Sequence, residues 1–177
     1  MRRLADADRI RRLMQALGKE ARAESRVYLT GGASAVLLDW RGTTIDVDMK
    51  IEPERDEVLR AIPELKNRLE VNVELASPAD FIPELPGWRD RSPFIVREGN
   101  LFFHHYDFFA QALSKLERRH ARDVEDVIQM HARGLIDPPR LLEFFAAIEP
   151  QLYRYPAVDP RAFRAAVEEM AGRLAKH

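Results

Sequence analysis

The chain has 177 residues and no cysteine, a length that fits one ordinary domain or a small domain with a helical appendage, and a composition that excludes a disulfide framework, a thiolate zinc site, a Cys nucleophile and an iron–sulfur cluster. Hydrophobic residues make up 46% and charged residues 32%, as in a globular protein, and 28 basic against 29 acidic residues leave no positive excess for bulk DNA or RNA binding. No apolar run approaches a membrane span, and the start Met1-Arg2-Arg3-Leu4-Ala5-Asp6 lacks the apolar stretch of a signal peptide, so the expectation is a cytoplasmic protein without membrane contact.

Ile10, Leu13, Met14 and Leu17 fall on one stripe of a first helix, with Asp6 and Asp8 as caps and Gly18 weakening its end. Ser25 to Thr30 reads as a strand running into Gly31-Gly32-Ala33-Ser34, and a short helix from Ala35 to Trp40 is ended by Gly42. Thr44 to Ile51 alternates, with Ile45, Val47, Met49 and Ile51 on one side and Asp46, Asp48 and Lys50 on the other. Pro53 suits a helix first turn, Val58, Leu59, Ile62 and Leu65 form that helix's apolar side, and Pro63 breaks or kinks it. Leu69, Val71, Val73 and Leu75 alternate with Glu70, Asn72 and Glu74 as a third strand.

Four of the eleven prolines lie within residues 77–93, which reads as a long ordered loop or a linker. Phe94-Ile95-Val96 and Leu101-Phe102-Phe103 flank Glu98-Gly99-Asn100 as a hairpin. Beyond Tyr106 the pattern is helical. Phe109, Ala112, Leu113, Leu116, Val124, Val127 and Ile128 share one side of a single long helix, and His120 faces that apolar side. Asp137-Pro138 and Asp159-Pro160 open two further helices, with Leu141, Leu142, Phe145 and Ile148, then Phe163, Val167, Met170 and Leu174, as apolar faces. The layout is α+β, a mixed half over residues 1–105 and a helical half over 106–177.

The stretch with chemical content is Gly31-Gly32-Ala33-Ser34, with thirteen residues between Gly32 and Asp46-Val47-Asp48. Two glycines after a strand let the backbone turn tightly and approach a ligand. A helix beginning there directs free N–H groups at it, and Ser34 is placed to cap the helix or to donate to a phosphate. Asp46 and Asp48, two apart on a strand, project from one face. Paired carboxylates repel unless a cation lies between them, and Mg²⁺ takes one or two carboxylates together with phosphate oxygens. The combination reads as a metal–nucleotide site, with two metals possible.

Leu29-Thr30-Gly31-Gly32 and Ile45-Asp46-Val47-Asp48-Met49 resemble the signature of the DNA polymerase β-like nucleotidyltransferase superfamily, with the spacer at its long end. The resemblance covers residues 1–105 in layout and 27–51 in its sharp motif. It implies a mixed β-sheet flanked by helices and followed by a C-terminal helical bundle. It also implies that Gly31, Gly32 and Ser34 hold the triphosphate of an NTP, that Asp46 and Asp48 hold Mg²⁺, and that a later strand adds a third carboxylate. Glu74 is the choice for that carboxylate, where many members have Asp.

Ala110-Gln111-Ala112-Leu113-Ser114-Lys115-Leu116, Arg119 and Arg122-Asp123-Val124-Glu125-Asp126 are similar to the distal motif of AbiEii-type toxin nucleotidyltransferases. The wider run through Leu152-Tyr153-Arg154-Tyr155-Pro156 resembles an uncharacterised bacterial family of nucleotidyltransferase-like proteins. Helical spacing puts Lys115, Arg119, Arg122 and Asp126 on one polar face. The resemblance implies that Lys115 reaches a nucleotide phosphate, and that Asp123 or Asp126 positions it or acts as a base. It also implies transfer of a nucleoside monophosphate to an acceptor hydroxyl on a tRNA 3′ end or a protein, by a toxin with a cognate antitoxin protein. A catalytically degenerate nucleotide- or protein-binding module and a small-molecule (antibiotic) nucleotidyltransferase are the alternatives.

Several residues have simpler readings. His104 and His105 neighbour each other on a strand and point to opposite faces, one buried and one solvated, so they do not share an ion. Trp40 and Trp88 pack in core or loops. The interleaved charges around Lys115 are, without the resemblance, a solvated ion-pair surface.

Overall fold

The computed structural model describes residues 3–177; Met1 and Arg2, the first two residues of the start read above for a signal peptide, lie outside the described residues. The chain divides into two compact units. One holds the residues up to Ser77 together with Ser92–Tyr106, and the other holds Pro78–Arg91 and Asp107–His177. The change of unit falls at Tyr106/Asp107, one residue beyond the predicted boundary.

In the first unit, helix α1 (Ala7–Glu20) is capped by Asp6, whose carboxylate accepts from the Arg9 amide, and buries Ile10, Leu13, Met14 and Leu17 as the spacing predicts. Gly18 is a point of close approach rather than a weakness. A Cβ there would lie 2.5 Å from the Glu98 carbonyl oxygen, so only glycine lets α1 lie against the hairpin turn.

Among the described residues five strands follow: β1 (Ser25–Thr30), β2 (Asp46–Glu52), β3 (Asn72–Glu74), β4 (Phe94–Glu98) and β5 (Leu101–His105). They form one mixed sheet in the order β3-β2-β1-β5-β4. β1 pairs antiparallel with β2 and parallel with β5, β2 pairs parallel with β3, and β4 and β5 make the predicted hairpin. Val27, Leu29, Val47, Met49, Leu101 and Phe103 are buried in one cluster with the apolar sides of α1 and α3 (Asp56–Arg68). The opposite face of the sheet therefore carries Thr30, Asp46, Asp48 and Lys50.

Several local expectations change. β2 begins at Asp46, and Ile45 is exposed because the alternation starts one residue later. Pro53 follows a cis peptide bond after Glu52, ahead of α3 rather than inside it, and α3 runs on through Pro63. β3 keeps three residues. Leu69 ends α3, Glu70 has a positive φ and Leu75 is exposed, so the alternating pattern overstated the strand at both ends. The short helix α2 spans Gly32–Leu37, three residues earlier than predicted.

The second unit holds α4 (Phe108–Arg118), α5 (Ala121–Ala132), α6 (Pro138–Ile148) and α7 (Pro160–Leu174). The single long helix predicted beyond Tyr106 is two. Arg119 adopts a left-handed φ of 58° as the C-cap of α4, and His120 is the N-cap of α5. His120 is consequently not in the core; its side chain is 71% exposed. Asp137 and Asp159 cap α6 and α7 as predicted, while Leu142, expected in the core, is exposed.

Of the two readings of the proline-rich stretch the structure has the ordered loop and not the linker, for it belongs to this unit and buries Ile82, Leu85 and Trp88. Arg91 binds Asp107 at 2.7 Å and lies over the Phe144 ring, and the Tyr155 hydroxyl donates to the Ala79 carbonyl.

Candidate functional site

The site is built by the register between β1 and β2. Thr30 stands opposite Asp48, so the turn leaving β1 begins beside the second carboxylate. Gly31 has φ 64°, a conformation that disfavours L side chains, and a Cβ placed on it would lie 3.5 Å from Asp48 Oδ2. The Gly31-Gly32 turn and Asp48 are thus neighbours, and Asp46 shares Asp48's face of the strand. Gly32 is glycine for a different reason. A Cβ there would collide with the Thr44 hydroxyl and lie 3.2 Å from Arg41 Nη1. Thr44 is fixed by two backbone hydrogen bonds with Ala5, of 2.8 and 2.9 Å.

β3 adds the neighbouring groups. Asn72 pairs with Asp46 and Glu74 with Asp48 in the parallel ladder. The Asn72 side-chain amide donates to Asp46 Oδ1 and so orients that carboxylate. Glu74 is exposed beside Asp48. Among the described residues, no three His, Cys, Asp or Glu side chains converge closely enough to hold a metal ion, so Glu74 does not close a triad with Asp46 and Asp48. The two aspartates, one with its Oδ1 buried without a hydrogen-bond donor, suit Mg²⁺ when phosphate oxygens complete its shell.

Ser34 departs from its expected place. It is fully buried and caps nothing. Its hydroxyl lies 3.3 Å from the Leu29 carbonyl oxygen, to which it donates, and 2.9 Å from His105 Nδ1. His105 pairs with Leu29 and so lies on the core face, away from Asp48. Burial, with the charge of His104 beside it, pushes its pKa down to about 4. The ring also borders a cavity of about 470 Å³ lined by Met14, Leu37, Phe94, Ile95 and Val96. His104, on the other face, is part-buried against Tyr28 and Phe94 and hydrogen-bonded to the Ser92 carbonyl oxygen.

The helical unit gathers the second predicted set. Lys115 Nζ lies 2.7 Å from Asp126 Oδ2 and 3.4 Å from Asp123 Oδ1, with its side chain only 8% exposed. Arg118 clasps Asp123 through two hydrogen bonds of 2.7 and 2.9 Å. Burial raises the pKa of Asp123, but the Arg118 hydrogen bonds and the Lys115 and Arg118 charges outweigh it and hold the group below its ordinary value. The break at Arg119 removes the predicted polar face. Arg119 instead reaches Glu169 on α7 at 3.0 Å. Lys115 is thus engaged by both carboxylates inside the helical unit.

Sequence reasoning missed Arg41 and Thr44. Both lie in the spacer, and only the folded loop brings them to Gly32.

A mixed sheet that sets a Gly-Gly turn against a strand-borne Asp-x-Asp, with flanking helices and a helical C-terminal half, defines an α+β nucleotidyltransferase-type fold. Residues 5–171 match the family described as "Nucleotidyltransferase of unknown function (DUF6036)", and the chain belongs to it. No curated protein and no solved structure matches the chain. No helix among the described residues is long and apolar enough to cross a membrane.

Proposed function

We propose that the protein transfers a nucleoside monophosphate from an NTP to an acceptor hydroxyl, in the cytoplasm and as a toxin restrained by a cognate antitoxin. The observation that carries the chemistry is the placement of Asp48 against Gly31, with Asp46 on the same face. In this reading the backbone of the Gly31-Gly32 turn receives the phosphates, and Asp46 and Asp48 hold Mg²⁺. When bound, the metal neutralises charge on phosphate oxygens. Asn72 keeps Asp46 in the orientation that leaves its other oxygen available.

The acceptor oxygen bonds to the α-phosphorus as the bond to the bridging oxygen breaks, and pyrophosphate leaves with that electron pair. Glu74, exposed next to Asp48, takes the acceptor's proton. Ser34 acts from behind the turn, through its bond to His105, rather than on phosphate. Lys115 with Asp123 and Asp126 forms the second motif of this reading, with the carboxylates positioning the amine.

The acceptor is a tRNA 3′ end or a protein. The test incubates the protein with Mg²⁺ and each α-labelled NTP, with total bacterial tRNA or with cell-extract protein, beside Asp46→Ala/Asp48→Ala. Label passing to one acceptor class, reduced in the double variant by at least a thousandfold, is the expected result. NTP binding without transfer to either would favour a non-catalytic binding module, a reading that the lack of a closed carboxylate triad supports. Transfer only to a small hydroxylated molecule would favour the antibiotic-modifying alternative. For the toxin role, expression is expected to arrest bacterial growth and the double variant to relieve the arrest.

A further inference from the structure

We infer that Arg41 is a phosphate-binding residue, placed on the Gly31-Gly32 turn to take the triphosphate of the nucleotide; this rests on the nucleotidyl-transfer reading above. The loop between α2 and β2 is not a slack connection. Thr44 both donates to and accepts from the backbone of Ala5, and its hydroxyl donates to the Asp46 carbonyl oxygen at 3.0 Å. The same side chain fills the space a Cβ on Gly32 would need. This anchoring holds the half-buried Arg41 with Nη1 against Gly32.

Adjacent glycines therefore carry opposite charges at their surfaces, the Asp48 carboxylate at Gly31 and the Arg41 guanidinium at Gly32. A triphosphate brought to this turn meets Asp46, Asp48 and Glu74 on the sheet face, which repel it wherever metal does not intervene. Lys50, the next residue on that face of β2, pairs with Glu52 at 3.9 Å. Arg41 supplies positive charge at the turn itself. Its planar fork matches two phosphate oxygens at once, as a lysine cannot. A guanidinium in this place separates two tasks. The aspartates act on phosphate through metal, and Arg41 acts on it directly.

That separation is measurable. Inorganic tripolyphosphate, in EDTA, and each NTP, in Mg²⁺, are titrated into the wild type, Arg41→Met, Arg41→Lys and Asp46→Ala/Asp48→Ala, with melting curves for each. In EDTA, Arg41→Met is expected to weaken tripolyphosphate binding at least tenfold and Arg41→Lys to restore part of it. The double aspartate variant is expected to bind as tightly as wild type or more tightly. In Mg²⁺ the Arg41→Met and double aspartate proteins both bind the NTP less well. Arg41→Met binding tripolyphosphate like wild type, at an unchanged melting temperature, overturns the assignment and leaves Arg41 as loop packing. Equal loss in the Met and Lys variants with lowered melting temperatures does the same. A wild type that binds neither tripolyphosphate nor any NTP overturns the nucleotide reading as well, so the two failures are distinguishable.

Discussion

Ser34 and His105 meet on the core face of the sheet through a 2.9 Å hydrogen bond, directly behind the turn that bears Gly31 and Gly32. Burial lowers the histidine pKa to about 4, from an ordinary value of 6.5. Above pH 6.5 the ring is neutral in folded and unfolded chains alike, and it contributes no pH dependence. As pH falls below 6.5 the unfolded chain takes up a proton that the folded chain resists until about pH 4. Stability therefore drops through that window and levels off below it, by about 3 kcal/mol from this group. His105→Gln is expected to remove most of that slope relative to wild type, read as urea-unfolding free energies at pH 7, 5.5 and 4.5. Parallel slopes in the two proteins would sink the argument. At this scale the sequence is a partial guide. A period of two is enough to put Asp46 and Asp48 on one face and His104 and His105 on opposite faces. It does not show that Ser34 turns inward, because its partner lies seventy-one residues away. Nor does it show Arg41 over Gly32, which depends on the Ala5–Thr44 pairing.

Between elements, the junction of α4 and α5 decides what the helical motif becomes. The apolar residues at 109–116 and at 124–128 stay in helical phase across the mostly polar stretch 117–123, so periodicity alone predicts one helix. The chain turns at Arg119, whose left-handed φ no glycine or proline announces. The turn folds α5 back so that Asp123 and Asp126 reach Lys115, an approach that an unbroken helix would not make. Strand edges and caps, by contrast, are local: Asp6, Asp137 and Asp159 each accept from amides two or three residues on, as the residue type predicts. Removing one ion from a buried group of this kind leaves the others' charge uncompensated. Lys115→Met is expected to destabilise the protein by about 3 kcal/mol, measured by denaturant unfolding. Adding Asp126→Leu is expected to recover part of that loss. A single variant as stable as wild type would show that the network contributes nothing to the fold. In that case any loss of transfer in it would report on chemistry alone.

Over the whole chain, the polypeptide enters the helical unit at Pro78, returns to the sheet unit at Ser92 and leaves it again at Asp107. Proline content marks 78–91 as irregular, and irregular segments between elements are commonly linkers. Three large apolar residues within it, Ile82, Leu85 and Trp88, argue the other way, and all three are buried. Composition does not say which unit they join; the Arg91–Asp107 ion pair and the Tyr155 bond to Ala79 do. The two tryptophans make this testable in the full chain. Trp40 lies in the sheet unit and is half-buried, whereas Trp88 lies in the helical unit, is 2% exposed, and has the Arg89 guanidinium 4.4 Å from its ring. In a Trp40→Phe background, fluorescence reports Trp88 alone. Adding Lys115→Met, whose effect originates between α4 and α5, is expected to lower the unfolding midpoint seen by Trp88. It is also expected to raise acrylamide quenching in the transition region. A Trp88 signal unmoved by that substitution, while circular dichroism shows helix loss at lower denaturant, would place 78–91 outside the helical unit's cooperative structure.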